Sequence, residues 1–264
     1  MMFNVKRFRK LFLTAALCLG TTFALTGCGG EQPSAEPVDK TLKIGSSVDF
    51  DPFEFPSEKD GEYLGFDIDL IQAIGKELGR ETEIQNINFE ELITALDDKK
   101  IDAAISAMTI TDERKAKADF SDPYFTAGMS IVVKRDNREI NSFDDLAGKR
   151  IAVQKGTIAA EKAKQVPNAE VTEFDTVLAC LRTLNAGTSD AVINDKPVND
   201  YVILRDSIPD LRTLPEQLDV GDYGIAVAKG NDRLLKDINR ALKKLKESGE
   251  YDQIHDRWFG SVHQ

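Results

Sequence analysis

The sequence predicts an α/β protein of two lobes, each built on a mostly parallel sheet, joined by a two-strand hinge and holding a ligand in the cleft between them. Three observations carry that reading. Amphipathic helical segments and short apolar strand segments alternate from residue 41 onward, the pattern of βαβ units with right-handed crossovers. Two stretches echo each other: Glu91-Leu92-Ile93-Thr94-Ala95-Leu96 leads into Asp102-Ala103-Ala104-Ile105, and Val177-Leu178-Ala179-Cys180-Leu181 leads into Asp190-Ala191-Val192-Ile193. Past each echoed strand the residues turn polar, with Ser106, Thr109 and Arg114 in one copy and Asn194 and Asp195 in the other. Open α/β sheets bind ligands beyond the carboxyl ends of their strands, so two such sheets face to face would clamp a small molecule between a guanidinium and a carboxylate. A zwitterion such as a free amino acid fits that pairing.

A strand over 42–46 precedes a helix over 66–78, in which Leu70, Ile71, Ile74 and Leu78 share one face. A strand over 83–87, a helix over 90–97 and a strand over 101–107 complete the first series. The extended run 129–133 carries the chain across. A second series follows: strand 150–154, helix 157–165, strand 170–174, helix 177–185, strand 189–194 and helix 197–205. The segment 218–227 carries the chain back, and helices over 234–246 and 250–259 pack on the first lobe. The lobes are therefore 41–128 with 223–264, and 129–222. The crossing strands form a hinge able to absorb the dihedral changes of closure.

Ahead of the lobes, Lys6, Arg7, Arg9 and Lys10 precede an apolar run over 11–25, which is short for a membrane span and reads as a secretory signal. It ends in Leu25-Thr26-Gly27-Cys28, which resembles the lipobox of bacterial lipoproteins. That resemblance implies a signal peptide over 1–27, lipidation at Cys28, and a protein anchored to the outer face of the cytoplasmic membrane. Glycine, two prolines and three acids without apolar periodicity make the remainder of 28–40 a flexible tether.

Of 264 residues, 34 are basic and 45 acidic, for a net charge of -11. Loss of the four signal-peptide bases takes the mature form to about -15, a surface that repels phosphate backbones and anionic lipid, so nucleic acid is excluded as a partner. Three cysteines build no disulfide framework: Cys18 leaves with the signal, Cys28 takes the lipid, and Cys180 falls on the apolar face of a helix as a small hydrophobe. No zinc spacing, phosphate loop or nucleophile constellation is present, and no cofactor is expected. The two histidines, His255 and His263, lie in the last helix and tail, away from the inferred cleft, and read as surface residues.

Eight short motifs in order carry a resemblance over nearly all of 41–260: Pro52-Phe53-Glu54-Phe55, Gly65-Phe66-Asp67-Ile68-Asp69-Leu70, Asp102-Ala103-Ala104-Ile105, Thr109-Ile110-Thr111-Asp112-Glu113-Arg114, Asp119-Phe120-Ser121-Asp122-Pro123-Tyr124, Gly156-Thr157, Tyr223-Gly224-Ile225-Ala226 and Trp258-Phe259-Gly260. Together they resemble the bacterial extracellular solute-binding proteins of the polar amino-acid uptake family. The resemblance implies the type II periplasmic-binding fold, two Rossmann-like α/β lobes that close on a free L-amino acid and present it to an ABC transporter permease. The protein is expected to be a monomer and not an enzyme. Dehydratases of small carboxylates and ligand sensors on the same fold are the alternatives.

Arg114 lies in the first turn of a helix, and its fork can bind a carboxylate through two parallel hydrogen bonds; by resemblance it holds the α-carboxylate. Gly156 and Thr157 end a strand and open a helix, where amides favour an anion, and Thr157 is also a helix cap. Ile158 would contribute its backbone amide alone. Asp195 follows a buried strand and would accept the α-ammonium, with a helix cap as its structural alternative. Ser106 and Thr109 offer further acceptors, and Ala107 between them lines the same turn. By resemblance Phe50 and Phe89 sandwich the ligand side chain, whereas Phe53 and Phe55 read as packing residues. Asp49, Asp51 and Glu54 form an acidic cluster that would either attract a cationic side chain or stand as a solvated loop. Ser47 stands where arginine- and lysine-type members carry an acid, and Gln154 and Asn194 are neutral amides, so the expected ligand is polar with an uncharged side chain.

Overall fold

The computed structural model describes residues 41–59, 61–204, 208 and 210–260, all within the unit Asp39–Gln264. The signal segment, Cys28, the tether and His263 lie outside the described residues. The chain lays down β1 (Thr41–Ser46), a short antiparallel pair of β2 (Phe55–Pro56) and β3 (Tyr63–Leu64), then α1 (Phe66–Glu77), β4 (Glu81–Asn86), α2 (Leu92–Asp97), β5 (Ala103–Ala104), α3 (Asp112–Lys117) and β6 (Ala118–Phe120). The long β7 (Phe125–Lys134) leads into β8 (Arg150–Gln154), α4 (Ile158–Lys164), β9 (Glu170–Phe174), α5 (Val177–Ala186), β10 (Ala191–Asp195), α6 (Lys196–Leu204), β11 (Leu211–Thr213) and β12 (Leu218–Tyr223). Last come β13 (Ala226–Ala228), α7 (Asp232–Ser248) and α8 (Glu250–Phe259).

Two sheets result. The first runs β4-β1-β5-β13-β6 and the second β11-β7-β10-β8-β9, with β12 also paired to β7. β1 is parallel to β4 and β5, and β8 is parallel to β9 and β10. The order β4-β1-β5 recurs as β9-β8-β10, so the two echoed segments, α2 into β5 and α5 into β10, occupy equivalent places. Central strands are apolar on both faces: Ile151 to Val153 of β8 and Ala191 to Ile193 of β10 are all buried, as strands covered on both sides must be. The outer strands β4 and β9, Glu-Thr-Glu-Ile-Gln-Asn and Glu-Val-Thr-Glu-Phe, carry the charges that discourage edge pairing.

Two elements differ from the sequence reading. The strand expected over 101–107 is confined to Ala103–Ala104, because Ala107 turns to a φ of 45° and its N–H is drawn to Asp67. The returning segment expected as one run, 218–227, divides into β12 on the second sheet and β13 on the first. Between them Gly224 passes so close to Ile110 that a Cβ there would lie 2.8 Å from the Ile110 side chain.

Helices α7 and α8 close over α1, burying Leu234, Ile238, Leu242, Leu245 and Ile254 in the same core as Leu70, Ile71 and Ile74. Trp258 Nε1 donates to Asp69 Oδ2 at 2.8 Å and pins the C-terminal end of α8 to α1. Among the described residues no helix is long and apolar enough to cross a membrane. The packing of the start of α1 against the Pro52–Phe53 turn rests on Gly65, whose φ is 134°. A Cβ there would lie 2.0 Å from the Phe53 carbonyl oxygen, which no rotamer change relieves. Gly65→Ala should lower unfolding free energy by about 3 kcal/mol or more in urea denaturation; a loss below about 1 kcal/mol would show that the turn is not fixed by this contact.

Candidate functional site

The C-terminal ends of the parallel strands of both sheets converge on one cleft. From the first sheet come Ser47 and Phe50 after β1, Phe89 after β4, Ser106, Ala107 and Thr109 after β5, and Arg114 in α3. From the second come Gln154 at the end of β8, Thr157 to Ala159 at the head of α4, and Asn194 and Asp195 at the end of β10. Of the residues expected from the sequence to bind ligand, all but Gly156 line this cleft, and Gly156 lines an adjoining depression. Direct contacts join the two sets. Arg114 Nη2 donates to the Gly156 carbonyl at 3.0 Å, and Asp49 Oδ2 accepts from the Val177 amide at the head of α5 at 3.1 Å.

Arg114 is placed by α3. Thr111 caps that helix, accepting from the Arg114 amide at 3.2 Å, and Arg114 Nη1 donates to the Thr109 carbonyl at 2.7 Å. The guanidinium lies over the Phe89 ring, 5.2 Å from its centroid. Burial lowers its pKa to about 10, with the field of Asp195 acting in the opposite direction, so it stays cationic at neutral pH. Among the described residues it meets carbonyls and a ring, and no carboxylate neutralises it directly.

Across the cleft, Asp195 closes β10. Its Oδ2 accepts the Tyr223 hydroxyl at 2.6 Å. Burial raises its pKa to about 6, opposed by the Tyr223 hydrogen bond and by Arg114. Asn194 donates to Asn199, which also bonds Ser130 and the Asn194 carbonyl, so a buried amide network stiffens the end of this strand. Thr157 acts as the cap of α4, accepting from the Ala160 amide at 3.2 Å while its hydroxyl donates to the Gln154 carbonyl at 2.7 Å. Gln154 Nε2 is held by the Asp175 carbonyl at 3.1 Å.

Of the two readings of the acidic cluster, the solvated loop fails at Glu54. It is fully buried, lines the cleft, and accepts the Ser106 hydroxyl at 2.6 Å. Asp49 is largely enclosed too, accepting from Ser47 at 3.1 Å, and burial raises its pKa to about 6. His255 is likewise no surface residue: its ring lies 5.1 Å from Phe259, 6.0 Å from Phe125 and 6.1 Å from Phe66. The spacing of Tyr251, His255 and Phe259 on one helical face was the signal for that packing. Cys180 is buried, and burial pushes its thiol up to about 12, so it is inert. The roles of Glu54, Asp67 and Tyr223 were not legible, because a hydroxyl or carboxyl inside an apolar motif carries no periodicity of its own.

Comparison with known proteins follows the same lines. Residues 42–261 match the model of bacterial extracellular solute-binding proteins, family 3. The arginine-binding extracellular protein ArtP of Bacillus subtilis (strain 168) is 36% identical, over 94% of this chain and 97% of its own length. The ABC transporter glutamine-binding protein GlnH of the same organism is 32% identical over 95% and 96%. Among solved structures, the ancestral amino acid-binding protein AncCDT-1, a precursor of cyclohexadienyl dehydratase, superposes with a TM-score of 0.77 at 39% identity, over 83% of this chain and 96% of that one. With a two-sheet α/β architecture, a cleft at the strand ends and a family match across most of its length, the chain belongs to the bacterial extracellular solute-binding proteins, family 3.

Proposed function

We propose that the protein captures a free polar L-amino acid outside the cytoplasm and delivers it to an ABC transporter permease, without catalysis. The observation that carries this reading is that Arg114, in α3 beyond the first sheet, and Asp195, at the end of β10 in the second, line one cleft. Arg114 takes the α-carboxylate and Asp195, with Ser106 and Thr109, the α-ammonium. Phe50 and Phe89 wall the side chain. The segments 125–128 and 220–223, which pair with each other where the chain crosses between sheets, serve as the hinge between a lobe of 41–128 with 223–264 and a lobe of 129–222. Lipidation of Cys28 tethers the protein to the membrane.

For the side chain, Ser47, Gln154 and Asn194 favour a polar, uncharged group such as a carboxamide. A second reading, arginine, is supported by the similarity to ArtP. Calorimetry with glutamine and arginine separates the two. A dehydratase reading finds support in the AncCDT-1 lineage; steady turnover of a small carboxylate by the purified protein would favour it over capture.

Truncating one member of a desolvated charge pair costs about 2 kcal/mol or more. Arg114→Ala should therefore weaken amino-acid binding by about thirtyfold or more in titration calorimetry, while the protein still melts cooperatively; unchanged affinity would refute the assignment. The pH response has a definite sign. The ammonium binds the ionised Asp195, whose carboxyl in the unliganded fold titrates at about 6, so affinity should fall about tenfold from pH 7 to pH 5. The same raised value acts oppositely on the unliganded fold, where Asp195 contributes stability in acid that is lost as pH rises through about 6. The melting-temperature rise caused by ligand should thus grow from pH 5 to pH 7, and a flat or inverted trend would contradict the role of Asp195.

A further inference from the structure

Beneath the cleft lie two carboxyl groups, Glu54 and Asp67, both fully buried. Asp67 Oδ2 accepts two donors, the Ala107 N–H at 2.7 Å and the Tyr124 hydroxyl at 2.7 Å. Glu54 Oε1 accepts one, the Ser106 hydroxyl at 2.6 Å. The remaining oxygens, Glu54 Oε2 and Asp67 Oδ1, have no hydrogen-bond partner among the described residues. Their anchors are consecutive residues, Ser106 and Ala107, which holds the two carboxyls next to each other, and two carboxylates can hydrogen-bond each other only if one of them carries a proton. Two adjacent buried carboxyls cannot both ionise at moderate cost, so a shared proton is the arrangement that satisfies both orphaned oxygens. Asp67 has the richer donor set and is the anion; Glu54 is the acid.

The consequence reaches the cleft through Ser106. A serine hydroxyl has one hydrogen and two lone pairs. Its hydrogen goes to Glu54, one lone pair takes the Ser47 amide at 3.0 Å, and the one left over can only accept. Asp67, through the Ala107 N–H, also holds the next residue at its positive φ. We propose that Glu54 and Asp67 are positioning residues that hold one proton between them through neutral pH and thereby fix Ser106 as a hydrogen-bond acceptor facing the cleft. Only the ligand side of this proposal rests on the amino-acid reading; the shared proton can be measured on the unliganded protein.

The groups facing the pair give no alternative proton source at neutral pH. Asp49, on the loop after β1, repels Glu54; Tyr124 and Tyr223 are buried phenols pushed well above their usual range; Tyr251 is raised to about 12. Desolvation holds the pair's proton on, so the stability it contributes is present in acid and is lost as pH rises through the folded-state value.

The test is infrared spectroscopy of the unliganded protein at pH 8, where Asp49 and Asp195 are ionised, together with melting curves from pH 7 to pH 9. The wild type should show the carbonyl stretch of a protonated carboxylic acid, and Glu54→Gln should lack it. The glutamine amide reproduces the acid's geometry, donating to Asp67 and accepting from Ser106. Its melting temperature at pH 7 should stay within about 3 °C of the wild type, and it should fall less steeply than the wild type toward pH 9. Absence of the band in the wild type, its persistence in Glu54→Gln, or failure of that variant to fold at pH 7 would overturn the proposal. The last result would mean that a charge, not a proton, is needed at Glu54.

Discussion

Opposite charges withdrawn from water are tolerable only when each is paired, and the architecture is organised around two that face one cleft without touching. Among the described residues, half-buried Arg114 meets carbonyls and a ring, and half-buried Asp195 meets one phenol. Both pKa values move in the direction that disfavours charge. Residual desolvation of this kind is what a ligand carrying the complementary pair relieves. One pole stands in α3 beyond the first sheet and the other at the end of β10 in the second, so neither set of strands alone lines the cleft, and contacts such as Arg114 to Gly156 or Asp49 to Val177 bring the halves together.

Much of this was legible because it follows from periodicity. The echo of 91–105 in 177–193 reflects two copies of one helix-to-strand unit, and doubly buried strands announce themselves as uninterrupted Ala, Val and Ile. Polar residues directly after such strands fall at the cleft for a topological reason, which is why Ser106, Thr109, Arg114, Asn194 and Asp195 converge. The family motifs added positions such as Phe50 and Phe89 that periodicity leaves ambiguous with core.

What escaped has a common physical cause. Glu54 sits in Pro52-Phe53-Glu54-Phe55 beside other acids and looks solvated; only the three-dimensional closeness of Asp67, Ser106 and Tyr124 makes its burial affordable. Ala107 abandons its strand for a carboxylate forty residues away in sequence, a long-range pull that no local propensity encodes. Strands of two or three residues, such as those of Phe55–Pro56 and Leu211–Thr213, are below the length at which alternation can be read.

The central claim is that both poles act on one zwitterion. Titration calorimetry of the amino acid that binds best, beside its α-carboxamide and its N-acetyl derivative, tests that most directly. The account predicts that masking either charge weakens binding by at least about a hundredfold, since each leaves a desolvated partner without its counter-charge. A derivative that binds as tightly as the parent would show that one of the two poles does not meet the ligand, and the clamp between the sheets would have to be abandoned.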